Sequence, residues 1–244
     1  MFFRTTRNWR MMHLRMKLIG CQSTMNEIQT QGLNQGMDSE FLDYSFHARP
    51  DKLHNKLQEI INESQDYDLI ILTYGRCSNS MLGLISPQVP LLFPGTHDCI
   101  GLMLGSTTRH MELFKENSLT YYFSQGWLDY GRTPLAEYLE YEVKYGEKKA
   151  LKLIKALYGS YRKAIFITTP GINDLERYRQ KVQEIADFFN WEVREIEGDI
   201  RLLSSVVKGI KVPESIYVEA GQVITLEMLE GGQHENNDHA KSSH

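Results

Sequence analysis

Hydrophobic residues fall along the chain in short continuous runs separated by amphipathic stretches. Met16 to Gly20, Leu69 to Thr73, Leu91 to Phe93 and Lys163 to Thr169 are runs of this kind, and each reads as a strand covered on both faces. Phe41 to His47, Leu119 to Phe123 and Trp191 to Ile196 add further strands, and Ile216 to Glu219 and Val223 to Glu227 close the series around Gly221. Between them the spacing turns helical. Ser23 caps a weak helix running toward Gly36, and Pro50 opens a helix with Leu53, Leu57, Ile60 and Ile61 on one face. A helix begins near Thr96 or His97, and another covers Ser106 to Phe114. Two more cover Pro134 to Lys144 and Glu147 to Tyr158. Asp174 caps a long helix with Leu175, Tyr178, Val182, Ile185, Ala186 and Phe189 facing inward, and Asp199 caps one carrying Leu202, Leu203, Val206 and Val207.

Strand–helix–strand order implies right-handed crossovers and an α/β fold. The expected architecture is two strand–helix–strand lobes or one doubly wound, mostly parallel sheet. The chain divides into a basic extension (1–15), a first α/β lobe carrying the thiols (16–133), a second α/β lobe with linking helices (134–229) and a disordered polar tail (230–244). The extension, MFFRTTRNWRMMHLR, has no secretory apolar centre, and Met16 is a natural start.

Composition narrows the function class. The 244 residues are 41% hydrophobic and 24% charged, with a formal net charge of −4. No basic field favours nucleic acid, and no apolar run is long enough to span a bilayer. Three cysteines in a chain this size are no disulfide framework. Their odd number points to a reducing, cytoplasmic location.

The three thiols carry the candidate chemistry. Cys21, Cys77 and Cys99 each follow a predicted strand, and Cys99 lies in His97-Asp98-Cys99. Loops at the carboxyl ends of parallel strands are where ligands bind in open sheets. Converging thiolates select zinc or an iron–sulfur cluster, with His97 as a fourth ligand or acid–base partner. Asp98 is expected to support the site as a carboxylate beside it. Asn79 shapes the Cys77 turn, while Tyr74, Tyr121 and Trp127 are candidates to line a substrate pocket, and His47 follows the second strand. The alternative is that the cysteines are buried small hydrophobes. No phosphate loop, dinucleotide fingerprint, Ser-His-Asp order or carboxylate pair offers a rival site.

Several motifs carry a resemblance. They are Tyr74-Gly75-Arg76-Cys77-Ser78-Asn79, Pro94 with His97-Asp98-Cys99, Gly105-Ser106, Thr120-Tyr121-Tyr122-Phe123 with Gly126-Trp127, and Gly198-Asp199 with Leu202-Leu203. Over roughly residues 17–221 the chain resembles the domain of unknown function 1638 family. It departs at Ser80, where glycine is expected, and at Val218-Glu219-Ala220-Gly221, which lacks a proline before the glycine. The family's gene company in methanogens and other anaerobes implies corrinoid-dependent methyl transfer. The expectation is therefore a metalloprotein of thiol or methyl-group transfer in one-carbon metabolism, acting on a small thiol or methyl donor. The alternative is an accessory carrier of a corrinoid, metal or cluster for a partner such as a corrinoid protein.

Overall fold

The computed structural model describes residues 14–76 and 79–231. Most of the basic extension, Cys77 and all but the first residues of the polar tail lie outside them, and so do the expectations placed there.

The first sheet is built from the apolar runs. Strands β1 (Met16–Cys21), β2 (Asp38–Leu42), β3 (Leu69–Thr73), β4 (Leu91–Pro94) and β8 (Ser215–Val218) lie in the order β2-β1-β3-β4-β8. The first four are mutually parallel, and β8 pairs antiparallel with β4, Phe93 opposite Ile216. All residues of β3 and β4 are buried, as their unbroken apolar character requires. Alternation then divides them between two cores. Ile19, Ile70, Leu72 and Phe93 pack with Leu53, Leu57, Ile60 and Ile61 of α2 (Pro50–Glu63). Leu18, Ile71 and Leu92 face the other way, onto Leu203, Val206 and Val207 of α9 (Arg201–Val207).

A second parallel sheet, β5-β6-β7, comprises β5 (Thr120–Phe123), β6 (Lys163–Thr168) and β7 (Glu192–Glu197). Ile165 and Ile167 of β6 join the core containing Leu18 and Ile71, so the two sheets share one apolar layer. On its far side Phe123, Ala164 and Phe166 meet Tyr178, Val182, Ile185 and Ala186 of α8 (Leu175–Phe189). Helices α6 (Pro134–Tyr145) and α7 (Glu147–Tyr158) form a hairpin around Tyr138, Ala150 and Ile154. The architecture is mixed α/β with mostly parallel sheets. Sheet membership does not follow chain order: β5 opens the second sheet, and β8 returns from the far end of the chain to close the first.

Four local expectations change. The first helix runs Gln22–Thr30 and is capped by Cys21, with Ser23 inside its first turn. The second strand ends at Leu42, and Tyr44–Ala48 form a 3-10 turn instead of extended chain. Asp43 accepts the Ser45 N–H at 2.9 Å and thereby starts that turn. The Val223–Glu227 strand reduces to one bridge between Ile85 and Val223. Helix α10 (Leu226–Gly231) takes over there, with Thr225 Oγ1 accepting the Met228 N–H. Asp199 is not the helix cap. Ile200 holds that position, and Asp199 accepts from the backbone and guanidinium of Arg201.

The seam between the sheets is tight at two glycines. Helix α1 (Gln22–Thr30) crosses α5 (Gln125–Tyr130) so closely that a Cβ on Gly126 would lie 2.2 Å from the Ser23 carbonyl oxygen. Gly105 has φ +70°, and a Cβ there would lie 2.7 Å from the Asp199 carbonyl oxygen. The glycines of the Gly-Trp and Gly-Ser motifs thus serve backbone contact.

Glu27 of α1 lies in the same seam and is 1% exposed. Its Oε1 accepts from the Thr169 hydroxyl at 3.4 Å, and its Oε2 has no hydrogen-bond partner among the described residues. Burial pushes its carboxyl up to about 7. Nearby, Asp129 of α5 accepts from Asn26 of α1 at 2.8 Å and from the Tyr178 hydroxyl of α8 at 2.6 Å. Arg177 and Lys181 of α8 lie 3.4 Å from the Asp129 carboxylate.

Candidate functional site

Parallel pairing brings the exits of β1, β2 and β3 to one rim, with the β4 exit alongside. That rim faces β5, the edge strand of the second sheet. Each exit contributes side chains through its own local turn. Cys21 ends β1 and caps α1, its Sγ accepting the Ser23 N–H at 3.4 Å. The 3-10 turn after β2 presents Phe46 and His47. Tyr74 follows β3, is buried, and donates its hydroxyl to the Gly20 carbonyl at 2.9 Å. After β4, Asp98 caps the short helix α3 (Cys99–Met103), accepting the Gly101 N–H at 3.1 Å, so Cys99 is its first residue.

Two cavities occupy the space between rim and edge strand. The inner one is narrow, about 30 Å³, and is walled by Cys21, Asp43, Phe46, Thr73, Tyr74 and Cys99 with His47. The outer one, about 220 Å³, runs along β5. Asp98, Cys99, Tyr121, Tyr122, Trp127 and Tyr161 line it, again with His47. His47 and Cys99 therefore line both, and the two cavities are neighbours along one cleft wall. Trp127 anchors the outer wall: its Nε1–H donates to the Tyr121 hydroxyl at 3.2 Å, and its ring meets those of Tyr44 and His47 edge-on.

The electrostatics of the cleft are set by burial and by local caps. Burial raises the Cys21 thiol, only partly offset by the Ser23 hydrogen bond. Hydrogen bonding by Ser45 holds the Asp43 carboxyl below the usual carboxylate range. Burial raises the phenols of Tyr121 and Tyr122. Tyr122 Oη is buried without a hydrogen-bond partner among the described residues. His110, of helix α4 (Thr107–Glu116), stacks edge-on against Tyr122, and its Nδ1 lies 3.4 Å from Asp98 Oδ1. Burial pushes its imidazole down, and the neighbouring Asp98 opposes this.

Of the residues singled out in the sequence, Cys21, His47, Tyr74, Asp98, Cys99, Tyr121 and Trp127 line the cleft. His97 does not: its side chain is 60% exposed, with Nδ1 3.4 Å from Asp98 Oδ2. Asn79 is also outside the lining. It is exposed, with φ 63°, and its carbonyl accepts the Leu82 N–H in a turn. Cys77 lies outside the described residues. Sequence reasoning missed Asp43, Phe46, Tyr122 and Tyr161. The signal for the first two was the strand exit at Leu42, hidden by the misplaced end of that strand.

The expected zinc or iron–sulfur centre on Cys21, Cys77, Cys99 and His97 is corrected by this geometry. Among the described residues no group of three or more His, Cys, Asp or Glu side chains is placed to hold a metal ion. The reasons are local. The Cys21 thiol is engaged as a helix cap, Asp98 is engaged at the start of α3, and His97 turns outward. Strand exits converge here, but among the described residues their donors do not assemble into a ligand set. The metalloprotein reading, and the carrier reading that needs the same ligands, are set aside.

No helix among the described residues is long and apolar enough to cross a membrane. Neither a curated protein nor a solved structure matches the chain. A family described as "Protein of unknown function (DUF1638)" matches residues 41–207, more than half of the 244 residues. This span holds Asp43, His47, Asp98, Cys99 and the whole β5 wall, though it begins after β1 and Cys21. The chain is a member of the DUF1638 family.

Proposed function

We propose that the protein binds a small metabolite in the cleft between the strand exits of the first sheet and the β5 edge. The observation that carries this is the sharing of His47 and Cys99 by the inner and outer cavities. Adjoining cavities, mostly apolar and aromatic with a few placed polar groups, are what small-molecule sites look like. Its position at the carboxyl ends of parallel strands agrees with the general rule for open sheets. The outer edge of β5, which lines the outer cavity, pairs with no other strand among the described residues. A cytoplasmic location belongs to the same reading, supported by the odd number of cysteines in the sequence.

A larger groove of about 440 Å³ lies between α7 and the end of α8, lined by Leu151, Ile154, Phe188, Phe189 and Trp191. It sits where β7 begins, and Lys155 is its sole ionic side chain apart from tyrosine hydroxyls. It lacks converging polar groups, so the smaller cleft is the better ligand site.

A fragment screen tests this. The indole signal of Trp127, assigned with Trp127→Phe, reports on the outer wall, and iodoacetamide labelling of Cys99 reports on the junction. Compounds that move the indole signal should also slow Cys99 labelling. Hits that leave both unchanged and map instead to Phe188 and Trp191 would refute the assignment, as would a screen without hits.

A further inference from the structure

Resting on the reading of the cleft just given, we infer that its ligand is a small organic cation, an ammonium or alkylammonium compound. The lining has carboxylates at both levels, Asp43 in the inner cavity and Asp98 in the outer, and neither cavity is lined by Lys or Arg. His47 is the basic side chain present. Hydrogen bonding by Ser45 holds the Asp43 carboxyl below the usual carboxylate range. An anionic ligand would meet two carboxylates here with no lysine or arginine to offset them. A cation would meet favourable charge, strongest at the half-buried Asp98, because the exposed Asp43 is screened by water.

The walls select an organic cation over a metal ion. Tyr121, Tyr122, Trp127 and Tyr161 line the outer cavity. Aromatic faces attract ammonium groups and also accept their methyl or methylene surface, which is how aromatic cages hold alkylammonium ligands. A bare metal ion needs several oxygen, nitrogen or sulfur donors at one point, and the described residues provide no such group. The Asp98 oxygens already take the Gly101 N–H and the neighbouring imidazoles of His97 and His110, so Asp98 offers a field more than a free coordination site. The Tyr122 hydroxyl, buried without a protein partner, is a group a polar substituent of the ligand would satisfy. The nearby Arg132 does not compete for this role, since its guanidinium is held by Glu137 and Glu140.

Three near-isosteric probes separate charge from shape: tetramethylammonium chloride, 2,2-dimethylpropanol and sodium pivalate, titrated at matched ionic strength into the full-length protein. Binding is read from the Trp127 indole signal and by calorimetry. Tetramethylammonium should saturate the signal and bind about tenfold more tightly than the alcohol, while pivalate should leave the signal unmoved. Asp98→Asn, in the lining of the outer cavity, keeps a residue able to accept the Gly101 N–H. It should weaken tetramethylammonium binding about fivefold and leave the alcohol unaffected. Equal or tighter binding of the alcohol or of pivalate overturns the cation assignment while leaving the cleft as a ligand site. No response to tetramethylammonium also overturns it, and the cleft reading then stands or falls on the fragment screen alone.

Discussion

Glu27→Gln should make the protein more stable than wild type above pH 7 and nearly equal to it near pH 4.5. The buried carboxyl is pushed from 4.5 up to about 7 by desolvation. Folding therefore favours its neutral form. The stability it contributes is fully present below the unfolded value of 4.5 and is lost as pH rises through 7. A shift of this size corresponds to about 3 kcal/mol. Glutamine retains the shape and an acceptor for the Thr169 hydroxyl but cannot ionise, and like the protonated acid it leaves one polar group without a described partner. Urea denaturation of both proteins at pH 5 and pH 8 isolates the effect, because every other titrating group cancels in the difference. The gap between variant and wild type should open by about 3 kcal/mol between the two pH values. A gap that stays constant would mean that the seam admits enough water to solvate the carboxylate.

Gly126→Ala is expected to cost about 3 kcal/mol or more, at the upper end of overpacking effects. Its added methyl would lie 2.2 Å from the Ser23 carbonyl oxygen and 2.7 Å from the Ser23 carbonyl carbon. Both are backbone atoms at the first turn of α1, so no rotamer change relieves the clash. The two helices must separate, which also disturbs the turn where Cys21 caps α1 and the burial of Glu27. Gly36→Ala is the appropriate comparison. That glycine has φ +74° with nothing within 4 Å of an added Cβ, so only the left-handed backbone penalty of about 1 kcal/mol applies. Denaturation midpoints should rank wild type, Gly36→Ala, Gly126→Ala. If Gly126→Ala matched Gly36→Ala, the α1–α5 contact would be looser than its geometry requires.

The central strands were legible because both their faces are covered. Leu69 to Leu72 and Leu91 to Phe93 have no polar position to confuse the reading, and the helical spacing of Leu53, Leu57, Ile60 and Ile61 sends one face to the core. Strand β2 was misplaced because it is an edge strand. Asp38-Ser39-Glu40 carries no apolar signal, and pairing with Lys17 to Ile19 of β1 sets its start. The approach of strand exits to a common rim also followed from the apolar runs. What side chains do at that rim did not. A loop position does not determine where a side chain points, so His97 and Asn79 lie outside a cleft lined by residues close to them in sequence. Thiol capping of α1 by Cys21 depends on the local backbone angle, which residue spacing alone does not reveal.

The return of β8 to pair with β4 has a consequence for biogenesis. A ribosome delivers Leu91–Pro94 more than a hundred residues before Ser215–Val218. Until then β4, apolar along its whole length, remains an open margin to which a strand from another nascent chain can add. The second sheet is completed during that interval and supplies Ile165 and Ile167 to one face of the first, but it does not shield this margin. The chain is thus open to intermolecular pairing along β4 until Ser215–Val218 emerges.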